Sequence, residues 1–254
     1  MSQAEQKLAS SLSRYLKGRT FGVPLLGSAN GTTPPLGTVG IVHRGEVSAE
    51  TYRSSMGLIE PGGLRLHDVE GTSIAWQRNR VVQALEGGWL LFFDSDQEFQ
   101  PDALMRLLSW RVPIVSALIA GRRSPFLPCF TSHGKQPDWR DIPNDGLLEV
   151  ELVGCGFLLI RREVFEQIEP PWFRMGQLNP EMPGEDSWFS AQAAKAKIPM
   201  FVDCGLRVGH VLKGVVYPLP GRGVQITIPG QHPCVIDVNM SQDKEEESDG
   251  RSES

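Results

Sequence analysis

Two aspartates one residue apart, Asp94 and Asp96, flank Ser95 at the end of five unbroken apolar residues, Trp89 to Phe93. An apolar run of strand length predicts a strand buried on both faces, the kind found in the middle of a parallel sheet. Open α/β sheets bind ligands at the C-terminal ends of such strands. Two carboxylates there are hard oxygen ligands at the mouth of a cleft. They suit Mg²⁺ or Mn²⁺ held through a substrate's phosphates, because a small hard cation takes few protein ligands and completes its shell with phosphate oxygens. The plainer alternative is an ordinary strand end, whose acidic residues face water or cap the helix at Pro101.

The elements that must position this pair can be read on either side of it. Thr38 to His43 reads as the first strand, with His43, Arg44, Gly45 and Glu46 as its exit loop. Ser48 is placed to N-cap a helix through Met56. Leu64 to Val69 is a short second strand. Ile74, Val81, Val82 and Leu85 form a helical stripe over about Ser73 to Glu86, which Gly87-Gly88 stops and which carries Arg78 and Asn79. After the central strand come a helix from Pro101 to Trp110 and a buried strand over Val112 to Ile119. Gly121-Arg122-Arg123 form the exit loop of that strand. The alternation β-α-β-α-β-α-β predicts an α/β fold with a doubly wound, mostly parallel, Rossmann-like sheet and helices on both faces. No G-x-G-x-x-G follows the first strand and no G-x-x-x-x-G-K-[ST] occurs, which argues against dinucleotide and P-loop binding.

The second half is less regular. Leu147 to Leu152 alternates as a strand, F-L-L-I-R-R is a second, and a helix follows over Glu163 to Ile168. The loop from Pro170 to Pro183 carries Trp172 and Phe173, which either stack on a substrate or anchor the loop. Gly184-Glu185-Asp186 opens a strong helix through Ala196. Pro199 to Cys204 is a strand, and Val208-Gly209-His210 ends what reads as the last one. Residues 3–17 carry a loose helical stripe, and Gly27 to Gly37 is a linker by composition. The organisation expected is an N-terminal helix and linker over 1–37, a catalytic domain over 38–212, an extension over 213–240 and a disordered acidic tail over 241–254.

The chain has 254 residues, 40% of them hydrophobic, and a formal net charge of −5. This balance carries no nucleic-acid-binding signature. An acidic protein that handles an anionic substrate must concentrate positive charge locally, through a metal or a few arginines. None of the cysteines (Cys129, Cys155, Cys204, Cys234) falls in a C-x-x-C pair, so zinc is not expected, and Cys155 and Cys204 read as core residues. Met1 to Gly18 is polar, and no apolar run reaches the length of a membrane span. With reduced cysteines, the expected location is cytoplasmic.

Four segments then fall in order. Asp94-Ser95-Asp96 comes first, G-C-G-F-L-L-I-R-R-E-V-F-E and G-E-D-S-W-F follow, and a strand ends in V-G-H. Over roughly residues 38–212 this resembles the nucleotide-sugar glycosyltransferases of the GT-A fold, closest to the family 2 type. The resemblance implies a GT-A-like sheet and transfer of a sugar from a nucleoside diphosphate sugar to a hydroxyl acceptor on a glycan, lipid, protein or modified base. It makes Asp96 and His210 metal ligands and gives Asp94 to the metal or the ribose. Imidazole beside carboxylates suits Mn²⁺ better than Mg²⁺. Asp186 is the expected base, with Glu185 binding the acceptor or orienting a neighbour. A helix N-terminus lowers a carboxylate's pKa, so Asp186 is expected to stay ionised.

Donor contacts are expected from His43 and Arg44 at the first strand's exit, from Arg78 and Asn79, from Ser95, and from Arg122 or Arg123. Gly156 would let the backbone approach the sugar. The resemblance has gaps. No transmembrane segment follows the catalytic part, no Q-x-x-R-W motif is present, and the His43-Arg44 loop differs from the usual opening of the family. Inversion with Asp186 as base is the first expectation. Retention is one alternative, and a sugar-nucleotide-binding or lectin-like protein without turnover is another.

Overall fold

The computed structural model describes residues 37–122, 126–176, 184–212, 214–227 and 234–237, the last for its backbone. The expected N-terminal helix, most of the linker, Arg123, part of the loop over 170–183 and the acidic tail lie outside these residues. Strands and helices follow in order as β1 (Gly37–His43), α1 (Ala49–Met56), β2 (Leu64–Glu70), α2 (Ile74–Gln83), β3 (Trp89–Asp94), β4 (Gln97–Glu98) and α3 (Ala103–Ser109). Next come β5 (Ile114–Ile119), β6 (Phe130–Thr131), β7 (Leu147–Val150), β8 (Leu152–Val153), β9 (Phe157–Arg161) and α4 (Arg162–Gln167). The chain continues with α5 (Glu185–Lys195), β10 (Met200–Val211), β11 (Val215–Leu219), β12 (Gly223–Thr227) and β13 (Cys234–Asp237).

The central sheet runs β2-β1-β3-β9-β5-β10. β1 is parallel to β2 and β3, and β10 is parallel to β5. β9 enters antiparallel between β3 and β5. This is an α/β, Rossmann-like sheet, mostly parallel as expected, with helices on both faces. The antiparallel β9 follows from connectivity: Gly154 to Gly156 turn the chain directly into it from β8, with no crossover helix to reverse its direction.

β3 shows why the apolar run had no alternation. Trp89, Leu91 and Phe93 pack on one face of the sheet with Leu104, Leu107 and Leu108 of α3. Leu90 and Phe92 pack on the other with Val81 and Val82 of α2 and with Phe189 of α5. Each of these β3 residues is at most 1% exposed, so helices cover both faces. No helix among the described residues is long and apolar enough to cross a membrane.

Local signals hold at the helix starts. Ser48 caps α1 by accepting from the Thr51 amide at 3.0 Å, and Ser73 caps α2 by accepting from Trp76. Several boundaries differ from the sequence reading: α3 starts at Ala103, β5 starts at Ile114, and the strand read over Leu147 to Leu152 is two, β7 on β10 and β8 on β6. α2 ends at Gln83, ahead of Gly87, because the Ala84 amide already closes the last turn onto Arg80 and Val81. Gly37, read as linker, begins β1.

The two strands expected between Pro199 and His210 are one strand, β10, whose register slips between Asp203 and Arg207. Nor is β10 the last strand. β11 pairs antiparallel with its end, and β12 and β13 continue the sheet.

The slip in β10 is held by Asp203, which is fully buried. Arg106 of α3 donates to both its oxygens, at 2.6 and 2.8 Å. Trp110 Nε1 and the Gly205 and Leu206 amides donate to it as well. A carboxylate so surrounded replaces the ladder bonds that the irregular strand gives up. Replacing Asp203 by Ala strands those donors and should cost about 3 kcal/mol of unfolding free energy. Urea denaturation of Asp203→Ala beside the parent chain reads this directly; an unchanged midpoint contradicts the account.

Candidate active site

The end of β3 meets two other elements through one buried guanidinium. Arg78 projects from α2 and is 1% exposed. It donates through Nη2 to Asp94 Oδ1 at 2.8 Å, through Nε to Glu185 Oε1 at 3.3 Å, and through Nη1 to the Cys155 carbonyl at 3.3 Å. Its cationic plane lies 5.1 Å from the Phe92 ring centroid. Burial alone would lower its pKa; Asp94, Cys155, Glu185 and Asp186 around it outweigh that and raise it. Arg78 is therefore a permanent cation that fixes β3, α5 and the turn before β9. Burial also pushes the Asp94 carboxyl up. Arg78 pulls it back only in part, and Asp96 and Glu185 add to the rise.

Asp186, one residue into α5, sits beside this knot. Its Oδ1 is buried and has no hydrogen-bond partner among the described residues. Burial, with the neighbouring Glu185 charge, pushes its pKa up to about 7, and Arg78 and the Cys155 thiol oppose the rise. The sequence expectation of a lowered pKa is thus reversed. The helix terminus contributes a fraction of a kcal/mol when exposed, and desolvation inside the site outweighs it. Cys155 is hydrogen-bonded to Asp186, and burial raises its own pKa well above the usual thiol value.

Asp96 faces the other way. Immediately after it, β4 pairs with β10 so that Gln97 lies opposite His210, and Val211 donates to the Asp96 carbonyl at 2.7 Å. That register brings His210 Nε2 to 3.5 Å from Asp96 Oδ2. His210 Nδ1 lies 2.9 Å from the Ala120 carbonyl. A carbonyl only accepts, so Nδ1 carries a proton, and Nε2 is the ring nitrogen turned toward Asp96. A carboxylate oxygen and an imidazole nitrogen side by side are a donor set that fits a divalent cation. Arg122 Nη1 holds the same Oδ2 at 2.6 Å. Burial would raise the Asp96 pKa, but His210, Arg122 and Gln97 outweigh it and hold the carboxyl below its ordinary value. Among the described residues no three His, Cys, Asp or Glu side chains converge as a ready-made metal site.

Several residues expected to contact the donor have protein partners of their own. Arg78 is taken up by the carboxylates. Asn79 donates to the Phe173 carbonyl at 2.6 Å and accepts from its amide at 3.2 Å, so it clamps a loop. A Cβ on Gly156 would lie 3.2 Å from both Gln97 Nε2 and Ile119 Cδ1, so the position packs inward, and its carbonyl accepts from the Asp94 amide. His43 Nε2 pairs with Asp68 at 2.7 Å and its Nδ1 accepts from Gly45, which fixes its ring within the exit loop. Arg44 is exposed on that loop. Ser95 is half-buried between the two aspartates, and its carbonyl accepts from Ser48.

Trp172 and Phe173 take the loop-anchoring role. Phe173 is 1% exposed and stacks on Phe189, and Trp172 Nε1 donates to the Phe165 and Ile168 carbonyls. The Trp188 ring of α5 is half-buried, with the Arg174 guanidinium 5.3 Å from its centroid and its Nε1 donating to the Pro171 carbonyl. Trp188 lies in the G-E-D-S-W-F motif, but two residues after Asp186 on a helix it points to a different face. Cys155 could not have been singled out from the sequence, because its contact with Asp186 joins residues far apart in the chain.

No protein-family model matches the chain, and no curated protein matches it either. Among solved structures it is similar to A197 from STIV, with a TM-score of 0.52 and 17% identity over 78% of this chain and 96% of that one. It is also similar to S. aureus TarS 1-349 in complex with UDP-GlcNAc, with a TM-score of 0.43 and 13% identity. That match covers 65% of this chain and 55% of the other. At these identities the likeness to A197 is one of fold.

The raised Asp186 pKa has a stability consequence. The native carboxyl binds its proton more tightly than the unfolded one. Stability is therefore lost as pH rises from the unfolded value, about 4, through about 7. Asp186→Asn lacks this titration. The variant should gain on the parent chain across that window and keep the gain above it, by about 1.4 kcal/mol for each tenfold difference in proton affinity between the folded and unfolded carboxyl. Thermal melts of both proteins at pH 5 and pH 8 test it; parallel pH profiles contradict it.

Proposed function

We propose that the chain is a metal-dependent glycosyltransferase that moves a sugar from a nucleoside diphosphate sugar to a hydroxyl acceptor. The observation that carries this reading is the register of β4 on β10, which sets the Asp96 carboxylate and the His210 imidazole together beside the end of the central strand. These two residues would hold the divalent ion, Mn²⁺ in preference to Mg²⁺. When bound, it would neutralise the charge that builds on the departing nucleoside diphosphate. Phosphate oxygens are the natural remaining ligands, since the protein offers so few.

The chain's own groups account for the rest of the reaction. Asp186 accepts the proton of the acceptor hydroxyl, whose oxygen bonds to the anomeric carbon as the bond from that carbon to the diphosphate breaks. An orphaned, buried oxygen is placed to take that proton, and a pKa near 7 suits a base working at neutral pH. Arg78 donates to Glu185 and Asp94, which leaves one Asp186 oxygen without a donor. Arg122, on an exposed loop at the same edge, supplies positive charge beside Asp96 and can meet the diphosphate. Direct displacement by a single base predicts inversion at the anomeric carbon.

A donor screen tests the reading. Purified chain and Mn²⁺ are mixed with each common nucleoside diphosphate sugar, and released diphosphate and thermal shift are recorded. One donor should respond. Asp96→Ala and His210→Ala should each reduce turnover at least about 10-fold to 100-fold. Asp186→Asn should reduce it by about 10²-fold to 10⁴-fold while donor binding persists. Turnover should rise with pH through about 7 in the parent chain. No metal-dependent response to any donor removes the transferase assignment, and retained anomeric configuration in the product removes the single-displacement step.

A further inference from the structure

A second cleft lies on the face of the sheet opposite His210. In the β4–β10–β11 register, His210 is opposite both Gln97 and Val216, and Gly209 is opposite Glu98. Directly opposed side chains share a face and successive ones alternate. Glu98 and Tyr217 therefore project away from the Asp96–His210 pair. They enclose, with Glu50 and Arg53 of α1, Arg207 of β10 and Gln225 of β12, a cavity of about 550 Å³. That volume is in the range of small-molecule sites. A Cβ at Gly209 would come within 2.9 Å of Tyr217 Cε1, so the missing side chain is what lets the Tyr217 ring lie against the strand.

The lining has a definite chemistry. Arg53 and Arg207 are balanced by Glu50 and Glu98, so the cleft offers no net charge to a phosphate or a polyanion. Its Arg, Glu and Gln groups are planar and can pair with two adjacent hydroxyls at once. Arg53 donates to Glu50 at 3.2 Å, and the Tyr217 hydroxyl donates to Glu98, so each acid is already oriented. Planar donors and acceptors around one aromatic ring, without excess charge, match a neutral polyhydroxylated ligand.

We infer that this cleft is a binding site for a neutral oligosaccharide, separate from the Asp96–His210 edge and joined to it by β4. It rests on the glycosyl-transfer reading only for its purpose, which is to hold part of a glycan acceptor. Glu98 is two residues from Asp96, and Gly209 adjoins His210, so occupancy on one face bears on the strands that carry the other.

The test uses the full chain in EDTA, with maltotriose, cellotriose and chitotriose as probes and calorimetry or saturation-transfer NMR as readout. At least one probe should bind with a Kd of about 1 mM. Arg207→Ala and Gln225→Ala, both surface changes whose melting temperatures serve as fold controls, should weaken it about 10-fold or more. Asp96→Ala should leave it unchanged. The inference is overturned if none of the three binds, if binding survives both cleft variants, or if Asp96→Ala abolishes it. Displacement of the saccharide by pyrophosphate would likewise reject a neutral ligand. Saccharide binding without donor turnover keeps this inference and removes the transferase reading, whereas turnover without saccharide binding does the reverse.

Discussion

A guanidinium buried to 1% exposure is the constraint on which the site depends. Taking Arg78 out of water is costly, and only charged or strongly polar partners offset it. Those partners come from the end of β3, the start of α5 and the turn leading into β9. None of the three can shift without leaving a buried charge unpaired. The central strand, α5 and the antiparallel strand are thereby held in one arrangement, and Phe92 under the guanidinium gives it an apolar floor.

The second constraint is backbone pairing. Asp96 would be the tip of a loop were β4 not hydrogen-bonded to β10. The two residues of β4 and the Val211 amide set Asp96 against His210. The Ala120 carbonyl at the end of β5 then selects the histidine tautomer. Three strands therefore determine one interatomic relation. The slip held by Asp203 lies upstream on the same β10, so the register that brings His210 into place is set by a polar knot on the far side of the strand.

Much of the frame was legible in the sequence, because burial imposes patterns over short range. Trp89 to Phe93 announced a strand covered on both faces, and Ser48 and Ser73 announced helix starts. The direction of β9 was not legible, since F-L-L-I-R reads the same in either sense. Nor was the length of β10, where a slip stabilised by Arg106 and Trp110 joins what reads as two strands. Among the site residues, types were readable and allegiances were not. Arg78 and Asn79 were visible on their helix, but their pairing with Asp94, Glu185 and the Phe173 backbone depends on contacts between distant segments. The expected ionised Asp186 failed for the same reason. A helix terminus is a local feature, whereas the burial that raises the carboxyl is assembled by the whole fold.

The two outer carboxylates of the site are driven in opposite directions by their surroundings. Asp96 is half-buried among His210, Arg122 and Gln97, and its proton is held loosely. Asp186 is enclosed beside Glu185, with Arg78 engaged by the neighbouring acids, and its proton is held tightly. Separating titratable groups in this way is how one site supplies both a permanent anion and a group that exchanges protons near neutrality. A permanent anion suits a cation; an exchanging carboxyl suits a hydroxyl that must lose its proton. Arg78 links the two halves without serving either directly. It pairs with Asp94 and Glu185, the carboxylates between them, and so offsets part of the negative charge that four acids bring to one sheet edge.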